Sequence, residues 1–217
     1  MTDKPILFSA PMVRALLAGT KTQTRRALPT AHPKFPGLNR MRNDLLIDPQ
    51  EVWYWDGVYD GVGASMRLRI APGDRLYVRE HWRAASAYDD LSPSDMGGEE
   101  SIRYEADQAW QTWGWPVPVG LEGRFRQGIH MPRWASRLTL TVTEVRVQRL
   151  QDISEADAVA EGADAASIRM YPELGTARHW YQDLWNSING ESAWDKNPWV
   201  AAYSFTVQNG NIDQVAK

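Results

Sequence analysis

The run RLTLTVTEVRV at 137–147 constrains the fold most. Apolar and polar residues alternate through most of it, and a period of two belongs to a strand with one buried face. Leu138, Leu140 and Val142 take one face; Thr139, Thr141 and Thr143 take the other. Val145 and Val147 then fall out of phase with Leu138. A bulge or bend near Thr143 and Glu144 would do this, as it does where sheets curve. A chain organised around such a strand needs a curved sheet, not a bundle of helices.

Further strand patterns are spread along the sequence, at 5–9, 66–70, 75–82, 101–104 and 199–207. In 75–82 one face carries Leu76, Val78, Glu80 and Trp82. A carboxylate among three apolar residues needs a partner if it is buried. Pro11 opens a helix with Met12, Val13, Leu16 and Leu17 at helical spacing, and Gly19 ends it. Ser154 caps a second helix with acidic residues in its first turn, ended by Gly162. A third helix over 176–188 sets Trp180, Leu184, Trp185 and Ile188 along one stripe.

Two stretches, near 28–64 and 84–128, read as insertions rich in loop-forming residues and Trp, the first with one hairpin. Residues 208–217 are polar and read as a disordered tail. The expectation is one α+β domain over 1–207. It would be a small mixed β-barrel of about six strands with flanking helices and long loop insertions.

The segment LLAGTKTQTRR at 16–26 holds the most chemistry. Thr24 follows Lys21 by three residues, and Arg25 and Arg26 come next. A threonine hydroxyl becomes a nucleophile when a base takes its proton. A lysine serves as that base if its surroundings keep it neutral, and adjacent arginines push that way. The other reading is a solvated basic loop.

Several chemistries fall away. There is no cysteine, so no disulfide, thiolate metal site or cysteine nucleophile exists. The four histidines, His32, His81, His130 and His179, lack the close spacing of a metalloprotease pair. No phosphate-binding loop or dinucleotide fingerprint appears, so no metal and no cofactor are expected. Net charge is -3, which gives no global field for nucleic acid. No apolar run approaches the roughly 18 residues of a membrane span, and residues 1–5 lack a leader pattern. A cytoplasmic protein with no membrane partner is expected.

Taken in order, the motifs at 16–26, Pro72-Gly73-Asp74-Arg75-Leu76-Tyr77-Val78-Arg79-Glu80, the strand at 137–147, Ala158-Val159-Ala160-Glu161-Gly162 and the strand at 199–207 resemble the ASCH domain of the PUA-like superfamily. The segments 129–136 and 184–190 look like the decorated ASCH proteins of bacteriophage and prophage origin. The likeness leaves out both insertions. It implies a PUA-like β-barrel. Some small ASCH proteins are amidohydrolases on N4-acetylcytidine and use a Lys, a Thr three residues later and a Glu from a later helix. The motif match puts Lys21, Thr24 and Glu161 in those catalytic roles.

The reaction so implied cleaves the N4-acyl amide of an acylated cytosine or cytidine, giving cytosine or cytidine and a carboxylate. Thr24 attacks the carbonyl, Lys21 takes the proton, and Glu161 orients Lys21 or shuttles the proton. Alternatively Thr24 only positions a water. In a regular strand Lys21 and Thr24 point to opposite faces, so they meet only if the segment curls. A neighbouring Glu161 raises the lysine pKa; burial and the arginines lower it. An inert Lys21–Glu161 ion pair is the alternative.

Arg25 and Arg26 are candidate phosphate or sugar contacts. Glu80 would hold the ring edge or pair with an arginine, and Trp82 would stack on the pyrimidine or pack in the core. The expected partner is a nucleoside or nucleobase. The competing functions are an RNA or modified-base binding module and a ribonuclease, both of which need strongly salt-dependent binding.

Overall fold

The computed structural model describes residues 2–42, 51–55, 57–58, 63–112, 121–164, 168–169 and 176–215. The chain is mixed α+β and forms two compact units. The first unit comprises Met1–Gly19, Asp74–Thr141 and Thr206–Lys217; the second comprises Thr20–Gly73 and Val142–Phe205.

The strands are β1 (Asp3–Leu7), β2 (Gln23–Ala27), β3 (Arg40–Arg42), β4 (Glu51–Trp55), β5 (Gly63–Arg67), β6 (Arg75–Arg79), β7 (Trp82–Ala85), β8 (Ile102–Tyr104), β9 (Trp110–Gln111), β10 (Glu122–Arg126), β11 (Leu138–Arg149) and β12 (Trp199–Asn209). The helices are α1 (Ala10–Leu17), α2 (Glu155–Ala160) and α3 (Ala177–Asn189). Among the described residues the strands form three sheets, ordered β1-β6-β11-β12-β2, β10-β7-β8-β9 and β3-β4-β5, and none closes into a barrel. The number of strands exceeds the expected six because both insertions fold into sheets of their own. In β4 the alternation is complete: Val52 and Tyr54 are fully buried, while Trp53 and Trp55 are half-buried. The first insertion therefore holds a three-stranded antiparallel sheet, not a single hairpin.

In the first unit β1 runs parallel to β6, and β6 pairs antiparallel with the start of β11. The pattern at 75–82 predicts one strand. It breaks at Glu80 and His81 and continues as β7 in a different sheet. Two contacts hold the break: both Glu80 carboxylate oxygens accept from Arg137, and His81 Nδ1 accepts from the Gly128 N–H at 3.0 Å. Beyond it, Trp82, Ala84, Met96, Ile102, Tyr104, Met131 and Ala135 form a core. Glu100 is buried and accepts the N–H groups of Gly97 and Gly98 at 2.8 Å each.

Residues 208–215 do not behave as a frayed tail. Ile212 is fully buried, the Asn211 amide donates to the carbonyls of Arg133, Trp134 and Ser136, and Asp213 pairs with Arg133. Ile212 and Val215 in so short a polar stretch establish no period, so the burial of Ile212 could not be read in advance. Residues 216 and 217 lie outside the described residues.

In the second unit β12 pairs antiparallel with β2, placing Ser204 opposite Gln23 and Tyr203 opposite Thr24. The face switch in β11 is visible in its burial: Val142 and Val145 are buried, and Thr143 and Glu144 between them are both exposed. α2 and α3 pack together over Leu150, Ile153, Ala158, Tyr181, Trp185 and Trp194. The buried line of α3 is Ala177, Tyr181 and Trp185; Trp180 and Leu184 flank it, and Ile188 is exposed. That line is an i, i+4, i+8 stripe, rotated from the one expected.

Ser154 caps α2, its Oγ accepting from the Asp157 N–H at 3.1 Å. Ser154→Ala should cost about 1 kcal/mol of stability. Urea unfolding of the two proteins measures it, and an unchanged midpoint would show that the cap contributes nothing.

Candidate functional site

The site grows from one turn of helix and one strand of the second unit. In α2 and its C-cap, Asp157 and Glu161 are four residues apart and so share a face. The helix stops because Gly162 adopts φ 108°, a conformation that suits glycine. Glu161 then meets Lys21 in an isolated antiparallel bridge, and the Thr22 N–H donates to the Ala160 carbonyl at 2.8 Å.

Lys21 Nζ donates to Glu161 Oε2 and to the Glu161 main-chain oxygen, each at 2.8 Å. Arg25 donates to the other carboxylate oxygen, Oε1, at 3.0 Å. Its second nitrogen lies 3.0 Å from Asp157, which also accepts from Arg146 at 2.8 Å. Arg25 further bonds Gln23, and Gln23 donates to Ser204 Oγ at 3.1 Å. Lys21, Arg25 and Glu161 are 1%, 4% and 2% exposed, so the cluster is closed to water. A buried charge survives only when paired and hydrogen-bonded.

Burial pushes the Lys21 ammonium below its ordinary range. Glu161 opposes that shift by charge and hydrogen bond, while the charges of Arg26 and Arg25 reinforce it. The net direction is downward, toward a lysine that can give up its proton. Partial burial pushes Asp157 up, but the Arg146 hydrogen bond and the charge of Arg25 outweigh it and leave the carboxyl below its usual range.

The sequence candidates are placed as follows. Lys21 and Glu161 come together. Arg25, expected to meet a phosphate or sugar, instead holds Glu161 and Asp157. Arg26 follows it on β2 and is exposed. Thr24 is 4% exposed and stands opposite Tyr203. The backbone from Gln23 to Ala27 is a paired strand, without the curl that would bring Thr24 round to Lys21. Lys21, Gln23 and Arg25 turn toward Glu161 and its neighbours, and Thr24, between Gln23 and Arg25, has the opposite parity.

Glu80 and Trp82 belong to the first unit. Glu80 is paired at 2.8 and 2.9 Å by the Arg137 fork, so both oxygens that would hold a ring edge are occupied. Burial nevertheless keeps its carboxyl above the ordinary range, against the two bonds from Arg137. Trp82 is 0% exposed inside the core cluster, with Arg126 5.3 Å from its ring centroid. Of the two roles the sequence allows Trp82, the structure gives core packing. Arg137 also reaches Asp107 at 2.8 Å and lies 3.8 Å from the Tyr104 ring centroid. Arg137→Lys loses the fork and the stacking and should cost on the order of 1.5–3 kcal/mol. Thermal unfolding checks this; equal melting temperatures would show that a point charge suffices.

Sequence reasoning missed Asp157, Arg146 and Gln23 as members of the Glu161 cluster. The available signal was the spacing of Asp157 and Glu161 behind a capping Ser154. Among the described residues no group of three or more His, Asp or Glu could hold a metal ion, and no helix is long and apolar enough to cross a membrane. No known family, curated protein or solved structure matches the chain.

Proposed function

We propose that the chain is an amidohydrolase that cleaves the N4-acyl amide of acylated cytosine or cytidine, on a PUA-like fold of the ASCH type elaborated by its two insertions. The observation that carries the reading is the closed Lys21–Glu161 contact of 2.8 Å, with Arg25 on the other carboxylate oxygen. A lysine driven toward neutrality by burial, with a carboxylate one bond away, can take a proton and return it.

The strand parity of Thr24 bears on the nucleophile. In this reading Lys21 deprotonates a water, which adds to the acyl carbonyl. The carbon–nitrogen bond then breaks, and the leaving amine takes the proton from Lys21. Cytidine and a carboxylate result. Thr24 supplies a hydroxyl that holds substrate or water, rather than the attacking oxygen. Because Lys21 and Glu161 are closed off, substrate must open the cluster to reach them.

The test is the ultraviolet spectrum of N4-acetylcytidine incubated with the protein, repeated with N4-benzoylcytidine and free N4-acetylcytosine. Conversion by wild type, lost in Lys21→Met and reduced but measurable in Thr24→Ala, is the expected result. Complete loss in Thr24→Ala, with an acylated protein trapped at low pH, would restore Thr24 as nucleophile. No conversion of any of the three by folded wild type would remove the hydrolase reading and leave a modified-base or RNA binder in its place.

A further inference from the structure

The second unit contains a cavity of about 690 Å³, within the usual size range of ligand sites. It is lined by residues at the end of β2, by β3 and β4 of the first insertion, and by the ends of β11 and α3 and the start of β12. Lys21, Thr24 and Glu161 are not among its described lining residues. The first insertion contributes Arg40, Met41 and Trp55 to the lining, while Trp185 and Trp199 come from ASCH-like segments.

Its lining combines two chemistries. Arg40, Arg149 and Lys196 bring positive charge, and Trp55, Trp185 and Trp199 bring indole faces. No carboxylate is among the described lining residues. The Arg149 guanidinium lies 4.5 Å from the Trp199 ring centroid. Trp185 is 5% exposed, and the buried indole N–H groups of Trp185 and Trp199 have no acceptor among the described residues.

We propose that this cavity binds a phosphate-bearing nucleobase. An apolar ligand would make no use of Arg40, Arg149 and Lys196. A bare anion would leave the indole faces unused. A nucleotide answers both: its base stacks on an aromatic face and its phosphate meets the cations. The same chemistry is offered by a free nucleotide and by a nucleotide within a single strand. The proposal does not rest on the hydrolase reading.

The experiment titrates a fluorescein-labelled oligouridylate of about ten residues, within the usual site size for single strands, with the full chain. Anisotropy reports binding, and uridine 5′-monophosphate and uridine serve as competitors. The expected result is binding that weakens about tenfold or more in Trp199→Leu. It should weaken also in the Arg149→Gln, Lys196→Gln double variant, with a salt slope shallower by roughly 0.7 per cation removed. Arg124→Gln, an exposed cation of the first unit, should bind as wild type. Competition by the monophosphate as strong as by unlabelled oligomer identifies a free-nucleotide site; competition by the oligomer alone identifies a single-strand site. If Trp199→Leu unfolds early, the double variant at exposed positions decides. Absence of binding by both ligands overturns the proposal, as does binding that the double variant leaves unchanged.

Discussion

Glu161→Ala should lower the unfolding free energy by about 3–5 kcal/mol, the range for breaking a buried pair from one side. The carboxylate is 2% exposed and compensates two cations, Lys21 on one oxygen and Arg25 on the other. Removing it leaves those like charges close together in a region closed to water. Lys21→Met in the Glu161→Ala background should recover part of the loss, because it removes one of the stranded charges. The two single variants and the double variant form a cycle whose coupling should exceed about 1 kcal/mol for contacting residues. Urea unfolding measures all four proteins. A loss below about 1 kcal/mol for Glu161→Ala would mean that the pair is solvated like a surface ion pair. It would also remove the burial on which the depressed lysine depends.

Legibility in the sequence followed the length of each pattern. β11 and β12 were readable because alternation persists over many residues, and the phase change at Thr143 and Glu144 is present in both pattern and burial. The cap at Ser154 was readable because it supplies a local acceptor to a helix N-terminus. The run 75–82 shows the opposite case, a pattern longer than its strand. Periodicity continues across Glu80, and only a distant partner, Arg137, shows that the chain turns there. Ile212 illustrates the same limit, since one buried side chain has no period.

At the candidate site, the pairing of Lys21 with Glu161 came from family resemblance. Spacing alone could not bring together residues separated by most of the chain. The parity of Thr24 was legible as a condition, an extended strand against a curl, and the register with β12 gives the strand. The partner of Arg25 was not legible. A basic residue followed by another reads as solvated or anion-binding until the helix carrying Asp157 and Glu161 is placed beside it.

Lys21→Met should reduce hydrolysis of N4-acetylcytidine by about 10²–10⁴-fold, the usual contribution of a positioned acid–base group. Methionine fills a similar space, so the fold should persist while the proton carrier is gone. The pH dependence supplies an independent reading. The base form of Lys21 is neutral, and burial lowers its pKa from the ordinary 10.5. The wild-type rate should therefore rise with pH through one ionisation below 10.5 and then level off. In Lys21→Met the residual rate should lack that limb.

Stability must follow the same group. Between the lowered folded-state pKa and 10.5 the unfolded chain binds more protons at Lys21 than the folded chain does. Unfolding free energy should therefore increase with pH across that window, and Lys21→Met should flatten the increase. Both slopes belong to one ionisation, so rate and stability should change over the same pH interval. A rate limb that survives in Lys21→Met would assign the base to another group. A stability slope without a rate limb would make the Lys21–Glu161 pair structural and leave it no part in the chemistry.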